Sequence, residues 1–383
     1  MGEGCYFLDF IPYGTQTIEE DDIAAVVEAL KSGYLTTGPK VAEFEHAICE
    51  ATGSKFAVAV NSGTAALHIA ALASGLRPGD EVIVPPLTFA ASANCVLYCG
   101  ATPVFADVDP DTMLLDIGDV KRKITDKTKA VIPVHFGGEI CDMDAYEALA
   151  NENKLMLIQD AAHSLGGTIR GKHQGAYTGQ QIWSFHAVKT ITTGEGGAVT
   201  TNDEEVYKAL SRLRTHGITR DVSQYVNDND GGWYYEMLDL GFNYRLTDIQ
   251  CALGVSQLKK LPRFIARRRE IVALYNEAFK SLPLNVQKTP EWSEPVRHLY
   301  TIRLKDHSRR SEVFDVLRRK NIGANVHYIP IYWFPYYEKL GYKQGLCPVA
   351  EEAYKAMVTI PLYPSMTNSQ VEYVIDSVRE AIY

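Results

Sequence analysis

Between Phe56 and Thr200 the chain repeats one unit: a short, continuously apolar run, a turn, then a stretch with helical periodicity. The apolar runs fall at 56–60, 81–84, 102–107, 130–134, 155–159, 181–185 and 197–200. Helical stretches begin at the Asn61-Ser62-Gly63-Thr64 turn and span 90–99 and 143–152. Strands without polar alternation are buried on both faces, and helices between them allow parallel pairing. The pattern predicts an α/β fold built on a mainly parallel central sheet. Sheets of this kind expose ligand-binding side chains at the carboxyl ends of their strands.

The flanking segments read differently. Residues 1–40 form an arm and a first helix, with Thr17 as the expected cap of a helix starting near Ile18 and Glu20 at its third position. Ile23, Val26, Val27 and Leu30 make a helical stripe that Gly33 ends. After the Gly38-Pro39 turn, Val41, Phe44 and Ile48 mark a second helix. Residues 221–234, rich in Asp, Asn, Gly and Tyr, predict a loop, either a lid near a site or a plain surface excursion. Helices are expected over 247–260 and 264–280. From Leu284 a smaller α+β unit begins, with strands at 298–304 and 324–328 around a helix at 310–320. A chain of 383 residues accommodates two domains, placed here at 1–250 and 251–383.

Composition removes several classes. Apolar residues make up 46% and charged residues 22%, as in globular proteins. The net charge, 38 minus 47 or -9, offers no broad surface for nucleic acid or anionic membranes. No apolar run approaches the roughly 20 residues that span a bilayer. The N-terminus, with Glu3 and Asp9, does not read as a signal peptide. Seven cysteines are scattered; Cys95 and Cys99 could face each other on a helix, but no second pair completes a metal-site spacing. The expectation is a cytoplasmic protein with reduced thiols and no metal.

Chemistry concentrates at three places. Asp160 ends the apolar run 155–159. Lys189 closes Ser184-Phe185-His186-Ala187-Val188-Lys189, just before Thr192-Thr193-Gly194-Glu195-Gly196-Gly197. Asn61-Ser62-Gly63-Thr64 joins a strand to a helix, where exposed amides attract phosphate. Singly, each has a plain reading: an aspartate cap or ion pair, a solvated lysine, a simple helix cap. Together they match what pyridoxal 5'-phosphate (PLP) requires. That cofactor needs an amine for its Schiff base, a carboxylate at its ring nitrogen and a phosphate cradle. No Gly-Lys-Ser/Thr follows the glycines, so the turn is not a nucleotide-hydrolysing P-loop.

The whole chain also resembles the DegT/DnrJ/EryC1/StrS sugar aminotransferases of PLP fold type I. The likeness runs through Gly33-Tyr34-Leu35-Thr36-Thr37-Gly38-Pro39, the Asn61 turn, Asp160-Ala161-Ala162-His163, the Lys189 segment and Gly241-Phe242-Asn243-Tyr244-Arg245. It implies a large PLP domain and a smaller C-terminal α+β domain. It assigns Lys189 to the cofactor aldehyde, Asp160 to the ring nitrogen, His163 to the ring edge and Phe89 to the ring face. Gly63, Thr64 and Ser184 match the phosphate site. Asn243 matches a residue given to the neighbouring subunit's phosphate, which implies a homodimer. Some relatives carry histidine in place of the lysine and deoxygenate sugars; here Lys189 is retained, which implies transamination.

Within the family the likeness extends to pseudaminic-acid-pathway aminotransferases, through Phe10-Ile11-Pro12-Tyr13-Gly14, the Lys189 segment and Asn325-Val326-His327-Tyr328-Ile329-Pro330-Ile331-Tyr332. It implies L-glutamate as amino donor and a UDP-linked 4-keto-6-deoxy-N-acetylhexosamine as acceptor. The product would be UDP-4-amino-4,6-dideoxy-N-acetyl-β-L-altrosamine. His327, Tyr328 and Tyr332 are the expected sugar or diphosphate contacts. Arg245 either binds an anionic ligand or organises the Asn243 loop. Amination at C3 or C4 of another UDP- or TDP-linked keto sugar is the alternative, and a PLP-binding protein without turnover is the third reading.

Overall fold

The computed structural model describes residues 9–383, so Glu3 and Cys5 lie outside it. Seven strands form the central sheet: β1 (Phe56–Val60), β2 (Glu81–Val84), β3 (Thr102–Phe105), β4 (Thr128–Val131), β5 (Met156–Asp160), β6 (Gln180–Ser184) and β7 (Gly197–Thr201). Their spatial order is β1-β7-β6-β5-β4-β2-β3. Strands β3, β2, β4, β5 and β6 are parallel, as their unbroken apolar runs predict. Strand β7 is antiparallel to both neighbours, because the glycine-rich segment after β6 folds straight back instead of crossing the sheet. This is the α/β architecture of PLP fold type I.

Helices cover the sheet: α1 (Glu20–Lys31), α2 (Pro39–Thr52), α3 (Gly63–Ala73), α4 (Ala91–Tyr98), α5 (Asp248–Lys259) and α6 (Leu261–Phe279). The first departs from its expected form. It starts at Glu20, with Glu19 at the cap and the Glu19 amide bonded to Asp22 Oδ2 at 2.9 Å. Thr17 instead gives its carbonyl to Gln257 Nε2 at 2.9 Å. The helix ends at Lys31, one turn-residue short of Gly33. Its apolar stripe does not face the core either: Ile23 is 49% and Leu30 54% exposed. The inward face carries Asp22 and Ala29, and Asp22 binds Lys260 Nζ at 2.6 Å and Gln257 Nε2 at 2.8 Å. A buried ion pair sits at the centre of this helix's contact.

The C-terminal part forms an antiparallel sheet of β8 (Leu284–Val286), β9 (Tyr300–Leu304) and β10 (Met357–Ile360). Helices α7 (Arg310–Arg319) and α8 (Asn368–Ile382) bury Val313, Leu317, Val371 and Val378 against it. The strand expected at 324–328 shrinks to one bridge, Asn325 with Thr359. Beyond that bridge the backbone leaves the sheet, and His327 and Tyr328 turn to the central cleft. Helix α6 joins two cores: Phe264 packs in a cluster with Phe44 and Trp183, while Ile271 and Tyr275 pack with Ile302 and Val358.

The 221–234 segment begins with one short 3-10 turn, Val222–Gln224, and lies between the paired stretches Ile218–Thr219 and Glu236–Met237. Glu236 gathers it by accepting from the amides of Val226 (2.7 Å) and Asn227 (2.8 Å). None of its residues lines the cleft of its own chain.

Candidate active site

Strand β5 is apolar through Ile158 and buried through Gln159, and this buried strand carries the Asp160 carboxylate to the sheet's carboxyl edge. There it lines a cleft of about 690 Å³ shared with Lys189, Gly63, Ser184, Phe89 and Tyr328. Asp160 Oδ2 accepts from Ser92 Oγ at 2.6 Å, and Oδ1 accepts from the Ala162 amide at 3.2 Å. Burial pushes its pKa up; those two bonds and the Lys189 charge pull the other way.

Lys189 enters the cleft from the loop between β6 and β7. That loop closes tightly: the Lys189 amide bonds the His186 carbonyl and the Thr193 amide bonds the Phe185 carbonyl, both at 2.9 Å. Gly194 sits at φ +78°, a conformation side chains resist, and its amide meets Thr192 Oγ1 at 2.8 Å. The glycine-rich run thus shapes the hairpin that presents the lysine. Burial lowers the amine from its usual 10.5 to about 8, against the raising influence of Asp160. An amine of that kind reaches its neutral, nucleophilic form close to neutral pH.

The opposite end of the cleft is a helix N-terminus. Ser62 is spent on capping, its Oγ accepting from the Ala65 amide at 3.1 Å. The amides of Gly63 and Thr64 precede the first intrahelical bond, Ala66 to Ser62, and both residues line the cleft. The cradle depends on missing side chains. A β-carbon on Gly197 would fall 2.6 Å from the Ser62 carbonyl oxygen. Ser184, directly opposite Gly197 in the β6–β7 register, completes this end.

Aromatic and imidazole rings make the walls. Phe89 projects into the cleft mouth, 62% exposed, with its ring centre 6.5 Å from that of Tyr328. His163 Nε2 lies 3.3 Å from the Tyr328 hydroxyl, while its buried Nδ1 meets no partner. Burial first, then the Lys189 charge, hold His163 far below the usual histidine pKa and hence neutral. His327, lowered to about 4 by burial, sets its Nδ1 3.0 Å from Thr359 Oγ1.

Three neighbours were given no role from the sequence. His298 lines the same cleft with its ring 4.7 Å from that of His163, and its Nδ1 is also buried without a partner. Tyr13 reaches in from the N-terminal arm, 5.0 Å from the His327 ring; only its place in the Phe10–Gly14 segment hinted at it. Ser92 is an ordinary helix serine until β5 places Asp160 beside it.

Three expected site residues stand elsewhere. Tyr332 is corrected by its burial: it is 0% exposed, packs on Phe105 at 5.2 Å and donates its hydroxyl to Glu351 Oε1 at 2.5 Å. It therefore serves the core. Arg245 and Asn243 lie outside this chain's cleft; their backbones bridge to Val60 and Thr215.

The residues present fit a flat phosphorylated pyridine aldehyde. Lys189 would hold its aldehyde carbon, Asp160 its ring nitrogen, Phe89 one face, and Gly63, Thr64 and Ser184 its phosphate. The glycine-lined cradle and the partnerless Nδ1 of His163 are the local signs of that fit.

Residues 16–379 match the DegT/DnrJ/EryC1/StrS aminotransferase family. The chain is 42% identical to the spore coat polysaccharide biosynthesis protein SpsC of Bacillus subtilis over 381 residues, covering 97% of each. It superposes with a TM-score of 0.91 on Spr1654 of Streptococcus pneumoniae in its PLP form, at 32% identity over 97% of this chain and 98% of that one. It also superposes with a TM-score of 0.91 on Helicobacter pylori PseC, an aminotransferase involved in the biosynthesis of pseudoaminic acid. That pair shares 31% identity over 98% of this chain and 99% of PseC.

Proposed function

The chain belongs to the DegT/DnrJ/EryC1/StrS aminotransferase family, and from that premise we propose how its cleft works and what it aminates. It is a PLP-dependent enzyme of the sugar-aminotransferase kind. The amino group passes from L-glutamate to C4 of a UDP-linked 4-keto-6-deoxy-N-acetylhexosamine, giving UDP-4-amino-4,6-dideoxy-N-acetyl-β-L-altrosamine. The observation that carries the reaction type is the convergence of Lys189 and Asp160 on one cleft with a phosphate-binding helix end.

When bound, PLP supplies a ring that accepts the electron pair released at the α-carbon of an amine. The protein does the rest. Asp160 holds the ring-nitrogen proton. Lys189 Nζ, free and with its pKa lowered to about 8, takes the proton in its neutral form from the donor's α-carbon and later gives one to the sugar carbon that receives the amine. Phe89 would cover one face, and Tyr328 narrows the cleft beside it. His163 and His327, both neutral, offer hydrogen bonds without adding charge beside the amine.

A homodimer belongs to this reading. The exposed apolar stripe of α1 and the exposed Leu240 suit burial against a second copy. Asn243, exposed on the same chain that lacks it in its cleft, would serve the partner's phosphate. Mixing Lys189→Ala and Asn243→Ala subunits tests this: a shared dimer recovers a working site, whereas independent subunits stay inactive.

Likeness to PseC supports the pseudaminic-type acceptor. A second reading, amination of another nucleotide-linked keto sugar, draws support from the higher identity to the spore coat polysaccharide protein. Incubation with glutamate and a panel of UDP- and TDP-linked keto sugars, read by product mass and NMR, separates them. Amination away from C4, or preference for a TDP sugar, removes the first.

A further inference from the structure

We infer that Ser92, backed by Thr88, is a positioning residue that keeps Asp160 ionised and fixed in the cleft through a one-way hydroxyl chain. The inference rests on the role given to Asp160 above. Three oxygens stand in line. Ser92 Oγ lies 2.6 Å from Asp160 Oδ2, and Thr88 Oγ1 lies 2.7 Å from Ser92 Oγ. Each hydroxyl has one proton. The carboxylate has none to give when ionised, so Ser92 donates to Asp160 and Thr88 must donate to Ser92. The Phe89 carbonyl, 3.3 Å from Ser92 Oγ, is the longer and weaker alternative acceptor.

Burial makes the chain consequential. Ser92 and Thr88 are both buried, so no solvent replaces a lost donor. The groups around the carboxylate leave it few other sources of support. Lys189, with its pKa lowered to about 8, faces it from the β6–β7 loop and supports it as a cation only below that pH. Cys95 on α4, Tyr328 from the C-terminal part, His163 on its own turn and His135 after β4 surround it, and burial keeps all four uncharged. Besides the Ala162 amide, the Ser92 hydroxyl is the neutral donor that reaches the carboxylate.

The same short turn gives this arrangement a second use. Thr88 and Ser92 flank Phe89, the ring that projects into the cleft. Their mutual bond closes the turn over Phe89, so one device orients the stacking face and supports the carboxylate.

The test compares holoenzymes of the native protein, Ser92→Ala, Thr88→Val, Asp160→Asn and the Ser92→Ala/Asp160→Asn pair. Losing the Ser92 donor moves the acid limb of kcat upward by about one pH unit, with KM for glutamate little changed. Thr88→Val moves it the same way by less, and Thr88→Ser restores it. In the residual turnover of the Asp160→Asn background, Ser92→Ala leaves the pH profile where it was. A readout free of turnover uses cofactor-free protein: the infrared band of a protonated carboxyl that disappears in Asp160→Asn should persist to higher pH in Ser92→Ala. That band reports the hydroxyl chain even if the aminotransferase reading fails. A folded Ser92→Ala protein with unmoved acid limb and unmoved band overturns the inference. If that variant does not fold, an unmoved band in Thr88→Val overturns it equally. A shift that survives in the Asp160→Asn background does so too.

Discussion

Gly63 stands so close to Ser184 that a β-carbon on the glycine would lie 3.1 Å from the serine's own. The next layer is tighter still, since a β-carbon on Gly197 would meet the Ser62 carbonyl carbon and oxygen at 2.6 Å. The phosphate end of the cleft is therefore a backbone-to-backbone contact between β7 and the start of α3. Gly197→Ala must move main chain and should cost about 2 kcal/mol, an overpacking penalty. Gly63→Ala presses only on a side chain and should cost less than about 1 kcal/mol while weakening PLP binding. Urea midpoints and cofactor titration check both. Equal midpoints for the two variants would contradict the layered picture.

The amine at Lys189 should titrate near pH 8 in cofactor-free protein, where an exposed lysine would remain charged to about 10.5. Between those values the unfolded chain binds more protons than the folded one, so this group makes stability rise with pH across that window. Amine-selective acylation followed by peptide mass should show Lys189 reacting half-maximally near pH 8. Asp160→Asn removes an attraction that raises the amine pKa, so the midpoint should move lower. An upward movement would show that the two side chains do not interact as described.

Behind His298 lies a buried ion pair, Arg297 Nη2 to Glu139 Oε2 at 2.7 Å, reinforced by Thr289 Oγ1 at 2.8 Å from the same nitrogen. It joins the loop after β4 to the segment leading into β9. Glu139→Gln leaves the guanidinium buried beside a neutral group and should cost about 3 kcal/mol. Because the His298 amide bonds the Gly137 carbonyl at 2.9 Å, catalysis should fall together with the thermal midpoint. Calorimetry and kcat/KM on one preparation test the coupling.

Tyr328 and Tyr332, four residues apart, should respond in opposite ways. Tyr332→Phe removes a buried hydroxyl bonded to Glu351, costing about 1 kcal/mol of stability with acceptor KM unchanged. Tyr328→Phe removes a hydroxyl from the cleft wall and should change acceptor KM or kcat by about tenfold, with stability nearly constant. Steady-state kinetics with the aminated sugar's keto precursor decides.

Much of this was legible because burial leaves a plain mark. Strands covered on both faces are mostly apolar, so the runs through Val60, Val84 and Ile158 announced the sheet and its ligand edge. The Ser62 cap was legible from local rules. What stayed hidden depends on distant partners. Asp22 looks like a surface acid until Lys260 arrives, so the inward face of α1 could not be told from its apolar stripe. Tyr332 shares its neighbourhood with two cleft residues, yet a helical turn at Ile331–Trp333 rotates it into the core. Ser92 and His298 acquire their meaning only when β5 and the β9 approach are folded together.

The most direct measurement is to reduce the holoenzyme with borohydride, which fixes PLP to the amine that holds it, and to locate the tag by peptide mass. The account requires the pyridoxyl group on Lys189, retained in Asp160→Asn although that variant's turnover collapses. A tag on any other lysine, or full turnover without a carboxylate at position 160, would contradict it.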